Sequence, residues 1–419
     1  MQTYLTTTTA AAALGLALFA SPAVAGEAAV GAAEPAYSVW MAESIMSRGQ
    51  GIMTGQGGSS ELLQAGITQR ALGAVAMRYP AGATTPRITQ YLEESAASVV
   101  PFTSNATYDA LSYPMDRLST GNALIGLAST SDNETASTEA RTAADALRQS
   151  IDLNRRNDLG GLWYYVYPNW SYLDGMWSLA PFYTHYALDA AFHGSVDGSS
   201  ENATTEALDD MVFQLDLLWN HTYNATSGLL AHGYDASRTA VWANNVTGAS
   251  PHVWGRSLGW YSMALVDTLQ ILPPTGPACK YRDSILLKWR ILASGLLQAV
   301  DAATGGWWQV MDEPGRAGNY IESSGTAMFA YALLKSARLG YLPAEDVMEA
   351  LTVGTRAQKY LTDAFVVRDA NGTLSYNGTV AVCSLNSTAT YEYYVGQPIN
   401  YNSVLGSAAY ILASLEVEH

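Results

Sequence analysis

Charge is scarce in this chain, and so are cysteine and clusters of basic residues. Only 14% of its 419 residues are charged while 48% are hydrophobic, which leaves ample material for a large core and none for a disordered domain of any size. There is no Lys/Arg cluster, and the net charge is −16 with a pI near 4.7. That balance argues against nucleic acid and against anionic membrane surfaces as partners. An anionic substrate would need a local cationic patch. The two cysteines, Cys279 and Cys383, are too few for a disulfide scaffold and make no metal site. One disulfide and a pair of buried thiols both remain open for them. No nucleotide or metal motif is present, so no cofactor is expected. Beyond residue 25 no apolar run approaches the roughly 20 residues that span a bilayer, and no Pro-, Ser- or Gly-rich linker divides the chain. A single catalytic domain over 26–419, read as a monomer, is the expectation.

What precedes that domain has a pattern of its own. The apolar run from Ala10 to Ala20, followed by Ala23-Val24-Ala25, reads as a secretory signal peptide over 1–25. Asn-x-Ser/Thr sequons at Asn105, Asn133, Asn169, Asn202, Asn220, Asn224, Asn245, Asn371, Asn377 and Asn386 fit an extracellular glycoprotein carrying N-glycans. Asn169 stands apart because it lies inside an aromatic stretch.

Helical periodicity runs through almost all of the rest. Ile285, Trp289, Leu292, Leu296 and Val300 recur at helical spacing, as do Leu208, Val212, Leu215 and Trp219. Other segments, such as 322–339, are apolar nearly all round and must be buried on every side. About twelve helices are expected, at 37–50, 60–79, 86–99, 118–128, 136–152, 175–189, 203–219, 257–271, 281–302, 322–340, 344–361 and 402–415. Because amphipathic members alternate with apolar ones, an outer ring around an inner ring satisfies both patterns. The reading is an all-α (α/α)6 barrel of six helical hairpins. An open solenoid is the competitor, and no fixed-period repeat supports it. Near the C-terminus the runs 373–376 and 390–395 are expected to form a small β-hairpin.

Four stretches carry candidate chemistry. The first, Gly160 to Trp177, packs Trp163, Tyr164, Tyr165, Tyr167, Trp170, Tyr172 and Trp177 around one carboxylate, Asp174. Such walls stack sugar rings, and a carboxyl hemmed in by Trp170, Tyr172 and Trp177 is pushed toward its neutral, proton-donating form. The competing reading has Asp174 only capping the helix that follows. Asp116, ahead of another helix, is either a second cavity carboxylate or that helix's cap. In Ser250 to Tyr261, Trp254, Arg256 and Trp260 converge at a helix start, giving a cationic fork between aromatic plates that suits a sugar carboxylate. A buried Arg paired to an acidic neighbour is the alternative. His232 is either a donor to a substrate hydroxyl or an interior histidine.

Several pieces taken in order resemble glycoside hydrolase family 105, the unsaturated rhamnogalacturonyl hydrolases. They are Met115-Asp116, Tyr167-Pro168-Asn169 with Leu173-Asp174-Gly175, Trp254-Gly255-Arg256-Ser257-Leu258-Gly259-Trp260-Tyr261, Tyr320 to Phe329 and Glu392-Tyr393-Tyr394-Val395. The resemblance implies an (α/α)6 barrel in which Asp174 is the general acid/base and Asp116 the second carboxylate. It further implies that Arg256 and His232 contact an unsaturated uronate whose walls are Trp254, Tyr172 and Trp260. The chain departs from the family at Tyr172 and Tyr164, where many relatives carry Trp and Lys. The implied substrate is a lyase-generated oligosaccharide, from pectin or a related polymer, ending in a 4,5-unsaturated uronate. Its double bond is hydrated instead of its glycosidic bond being attacked directly. Rival readings are a toroid-fold glycosidase using an Asp pair, a uronate lyase, and a secreted carbohydrate-binding protein without turnover. The only adjacent Asp pair, Asp209-Asp210, falls on the polar face of an amphipathic helix.

Overall fold

A computed structural model describes residues 34–419 except 57, 59, 108–112, 166–168 and 190–198. The signal peptide expected over 1–25 lies outside the described residues, as do Tyr167 and Pro168. The chain divides into Met1–Pro35 and Ala36–His419, and the architecture below is that of the second unit.

Twelve helices of ten residues or more occur among the described residues. They are α1 (Tyr37–Ser47), α2 (Glu61–Arg78), α3 (Thr85–Thr103), α4 (Gly121–Thr130), α5 (Glu134–Leu153), α6 (Gly175–Leu188), α7 (Ser199–Thr222), α8 (Gly255–Ile271), α9 (Cys279–Gln298), α10 (Ser323–Leu339), α11 (Ala344–Phe365) and α12 (Val404–Val417). The even-numbered helices close a ring. Helix α2 packs on the 3-10 turn Asp116–Thr120 that opens α4, that turn on α6, α6 on α8, α8 on α10, α10 on α12, and α12 back on α2. The odd-numbered helices cover this ring from outside. Burial follows the sequence pattern. On α11 only Ala350, Gly354, Ala357 and Leu361 are buried, one stripe at helical spacing. By contrast every residue of α8 from Gly255 to Leu269, of α10 from Ser323 to Ser336 and of α12 from Val404 to Leu415 is buried. Those three helices have neighbours on all sides. The (α/α)6 barrel is thus the observed fold.

Three two-stranded ribbons decorate one end. Strand β1 (Trp170–Tyr172) pairs antiparallel with β4 (Gly233–Asp235), β2 (Tyr223–Asn224) with β3 (Leu229–Leu230), and β5 (Val366–Arg368) with β6 (Leu374–Tyr376). The hairpin near the C-terminus is therefore present, but the partner of 374–376 is Val366–Arg368. The run 390–395 is a short helix, Tyr391–Val395, because the Thr390 side chain caps it by accepting from Tyr393 N.

The barrel interior is not wholly apolar. Asp267 on α8 is buried, with Lys335 Nζ at 2.5 Å, the Tyr331 hydroxyl at 2.6 Å and Arg70 Nη2 at 3.2 Å on its Oδ1. Trp177 Nε1 donates to its Oδ2 at 3.2 Å. Four inner helices are tied through this one carboxylate. Burial pulls Lys335 down to about 8, opposed by the charge of Asp267. Asp267→Asn strips the compensating charge from a buried lysine and arginine, and should lower the free energy of unfolding by about 3–5 kcal/mol. Urea titration measures this; a loss below about 1 kcal/mol would show that the cations are not stabilised by that carboxylate.

Candidate active site

All six inner helices run in one direction, since each is separated from the next by one outer helix. Their N-termini therefore meet at one end of the barrel, and every candidate residue but Trp260 lies there. The approach is close. A Cβ on Gly325 would sit 3.0 Å from the carbonyl carbon of Gly255 and 3.1 Å from Arg256 N, so the first turns of α8 and α10 touch backbone to backbone. Above them the connecting loops build a second apolar cluster, separate from the barrel core, from Tyr172, Trp242, Trp254, Val310, Val380, Cys383, Leu385 and Tyr394 among others.

Asp174 stands at the N-cap position of α6, yet its backbone is helical (φ −52°, ψ −41°) and its side chain makes no capping bond. Its carboxylate turns to the loops instead. Ser257 Oγ donates to Oδ2 at 2.5 Å, and His232 Nε2 lies 3.2 Å from the same oxygen. The β1–β4 ribbon makes this possible: its register continues into a bond from Leu173 N to His232 O at 3.0 Å, which brings the two loops side by side. Ser257 was not singled out from the sequence. Its signal was its place in the first turn of the helix after Trp254-Gly255-Arg256.

Asp116 is likewise no cap. Its Oδ1 accepts from the Tyr164 hydroxyl at 3.0 Å. Burial pushes its pKa up to about 7, the Tyr164 bond opposing and the nearby Asp174 charge adding. Tyr164 in turn stacks on Tyr172, with centroids 4.7 Å apart and planes at 20°. The Tyr172 ring meets His232 edge-on at 5.2 Å, and His232 lies 4.9 Å from Trp254. Asp116, Tyr164, Tyr172, His232, Trp254 and Asp174 thus form one continuous assembly.

Two candidates depart from expectation. Trp260 does not stand beside Trp254; one helical turn deeper than Arg256, it is 1% exposed and packs in the barrel core on Trp177, centroids 4.9 Å apart. Helical geometry places positions 254 and 260 too far round and too far along to share a wall. Arg256 keeps its place under Trp254, with Cζ 4.8 Å from the ring centroid. However, its fork grips backbone: Nη1 donates to Val380 O at 2.5 Å and Nη2 to Ala381 O at 2.8 Å, with Glu322 at 3.9 Å. The buried, acid-paired arginine is the observed arrangement. Glu322 completes a clamp on the same strand of backbone by accepting from Val380 N at 3.0 Å while it caps α10 through Gly325 N at 2.6 Å.

Arg256 also lines a cavity of about 170 Å³ with Ser60, Gln64, Val380, Asn400 and Ser403 among others. Ser60 and Ser403 occupy the N-cap positions of α2 and α12 without making a side-chain capping bond. Two helix N-termini and the Arg256 guanidinium bring positive field to this cavity, offset in part by Glu322 3.9 Å from the guanidinium. A larger groove of about 590 Å³ at Pro80–Glu93 lies on the outside of the barrel and carries no such constellation. The Asp209-Asp210 pair is remote too, on outer helix α7, with Asp210 forked to Arg156 at 2.7 Å. Cys279 and Cys383 are both free thiols, and burial pushes Cys383 up to about 12. No group of three or more His, Cys, Asp or Glu suited to a metal occurs among the described residues.

Comparison with known proteins agrees with this geometry. The model of Glycosyl Hydrolase Family 88 matches residues 64–419. A family 105 glycoside hydrolase of C. acetobutylicum is 31% identical, with a TM-score of 0.76 over 92% of this chain and 99% of that one. The unsaturated glucuronyl hydrolase of Bacillus sp. GL1, 13% identical, shares the fold with a TM-score of 0.62 over 92% and 95%. The 24.9 kDa protein in the picA locus of Rhizobium radiobacter is 37% identical over 217 residues, 50% of this chain and 91% of that protein.

The raised Asp116 carries a stability signature. The native state holds its proton up to about pH 7, whereas the unfolded chain releases it near 4, so between those values folding takes up a proton. Stability contributed by this group is full below pH 4 and is lost as pH rises toward 7. Asp116→Asn should flatten that decline in thermal melts across pH 4–7. An unchanged slope would show that Asp116 is not the group responsible.

Proposed function

The chain belongs to glycosyl hydrolase family 88, with family 105 hydrolases among its structural relatives, and from that premise we propose that it removes a terminal 4,5-unsaturated uronic acid from lyase-generated oligosaccharides. The observation that carries this reading is the state of Asp174: a buried carboxylate at the barrel mouth, uninvolved in capping, with one oxygen held by Ser257 and Oδ1 without a hydrogen-bond partner among the described residues. In this reading Oδ1 delivers a proton to C4 of the substrate. Water then adds at C5, the C4–H and C5–O bonds forming across the former double bond, and the ionised Asp174 recovers a proton from that water. The resulting hemiketal opens to a ketone at C5, and C1 expels the aglycone as an alcohol. No metal is required for these steps.

The sugar carboxylate belongs in the cavity lined by Arg256. Two of the arginine's nitrogens are engaged by carbonyls, buried Glu322 at 3.9 Å offsets part of its charge, and the uncapped starts of α2 and α12 add positive field. Tyr164, Tyr172 and Trp254 offer the stacking surfaces, and pectin is the polymer whose cleavage products this reading favours. The expected leader and ten sequons support export of the mature chain as a glycoprotein.

Asp174→Asn keeps the size of the side chain and removes its transferable proton. On a panel of lyase-generated disaccharides, the wild type should bleach the ultraviolet absorbance of the conjugated double bond. In the variant kcat should drop by roughly 10²–10⁴-fold with KM little changed. Near-normal turnover by the variant, or a rise in absorbance with the wild type, would overturn the reading; the latter is the signature of a lyase.

A further inference from the structure

His232 cannot be described by its distances alone, because the role of an imidazole depends on which nitrogen carries the proton. Both nitrogens are inside the protein: the residue is 0% exposed, as is Tyr394. Nδ1 lies 2.8 Å from the Tyr394 hydroxyl, and Nε2 lies 3.2 Å from Asp174 Oδ2 without an aligned hydrogen-bond partner. We propose that Tyr394 is a positioning residue, which holds His232 neutral with its proton on Nε2, so that the imidazole presents a donor to Asp174 and never a competing base.

The argument is one of satisfying buried donors. His232 Nδ1 is the sole hydrogen-bonding neighbour of the Tyr394 hydroxyl among the described residues. Burial keeps that phenol protonated, its pKa raised well above the ordinary value. If Nδ1 carried the imidazole proton, the phenol would have to accept it, and its own O–H would point at nothing in a closed interior. Such an orphaned donor is strongly disfavoured. With the phenol donating, Nδ1 is an acceptor and the ring proton falls on Nε2, facing Asp174. The opposite tautomer would aim a lone pair at Oδ2 and draw the carboxyl proton to that side, away from substrate.

Ser257 acts in the same sense. Its hydroxyl has a choice of acceptors, Asp174 Oδ2 at 2.5 Å or His232 O at 3.3 Å, and the shorter contact takes the proton. Oδ2 then holds the Ser257 hydrogen bond with the Nε2–H 3.2 Å away and out of line, which leaves Oδ1 to carry the acid's proton and pre-stabilises the carboxylate once that proton has gone. Trp254 and edge-on Tyr172 flank the imidazole, and Nε2 has no aligned hydrogen-bond partner among the described residues.

This inference rests on Asp174 being the proton donor, but its primary test does not require turnover. In the full chain labelled with ¹⁵N-histidine, the long-range ¹H–¹⁵N spectrum should show His232 with a protonated, pyrrole-type Nε2 and a pyridine-type Nδ1. A protonated Nδ1, or a doubly protonated ring, near neutral pH would overturn the proposal. Tyr394→Phe keeps the packing and removes the bias. Its His232 signals should shift toward a tautomeric mixture, and kcat on an unsaturated disaccharide should fall about 10-fold or more while KM holds. A variant with both the tautomer and kcat unchanged would also overturn it. Failure of the functional reading looks different: the expected tautomer, with no turnover of any unsaturated substrate by the wild type.

Discussion

Closure of the inner ring is the constraint from which the site follows. Six mutually packed helices can alternate with six outer ones only if all inner helices run the same way, and so their N-termini must share one end. Close approach of their first turns, seen where Gly325 meets Gly255, leaves room for side chains from those turns and from the loops above, but for little else. Asp116, Asp174, Arg256, Ser257 and Glu322 all belong to such first turns or the residues just before them. Unpaired N–H groups pointing into one space favour negative charge there. In a chain with net charge −16 and no basic cluster in its sequence, these helix starts and Arg256 supply the positive field at that end.

Within that mouth two carboxylates face different surroundings. Asp116 is closed in by burial, which pushes its pKa up to about 7 against the opposing bond from Tyr164. Asp174 accepts from Ser257, and His232 Nε2 lies 3.2 Å from the same oxygen. The backbone from Gly378 to Ala381 is pinned over the same region by Arg256, Glu322 and Ser323 N.

Much of this was legible in the sequence where local pattern decides the outcome. All-round apolar segments such as 322–339 could only be inner helices, and stripes such as Ile285, Trp289, Leu292 and Leu296 could only be outer ones. The aromatic density around Asp174 marked the mouth. What stayed hidden depends on residues far apart in the chain. Arg256 could not be assigned its carbonyl partners because they lie more than a hundred positions away. Trp260 was grouped with Trp254 by proximity in sequence, although six residues along a helix separate a loop-facing ring from a core-facing one. The 390–395 run has strand-like composition, and a single Thr cap turned it into a helix. Tyr394 carried no signal of its own until the fold brought it 2.8 Å from His232.

The central claim is that water attacks C5 of an unsaturated uronate and not the anomeric carbon. Turnover in heavy-oxygen water, with rapid reduction of the products to prevent exchange, distinguishes these outcomes by mass spectrometry. The account predicts label at C5 of the released sugar. Label confined to C1 would contradict it.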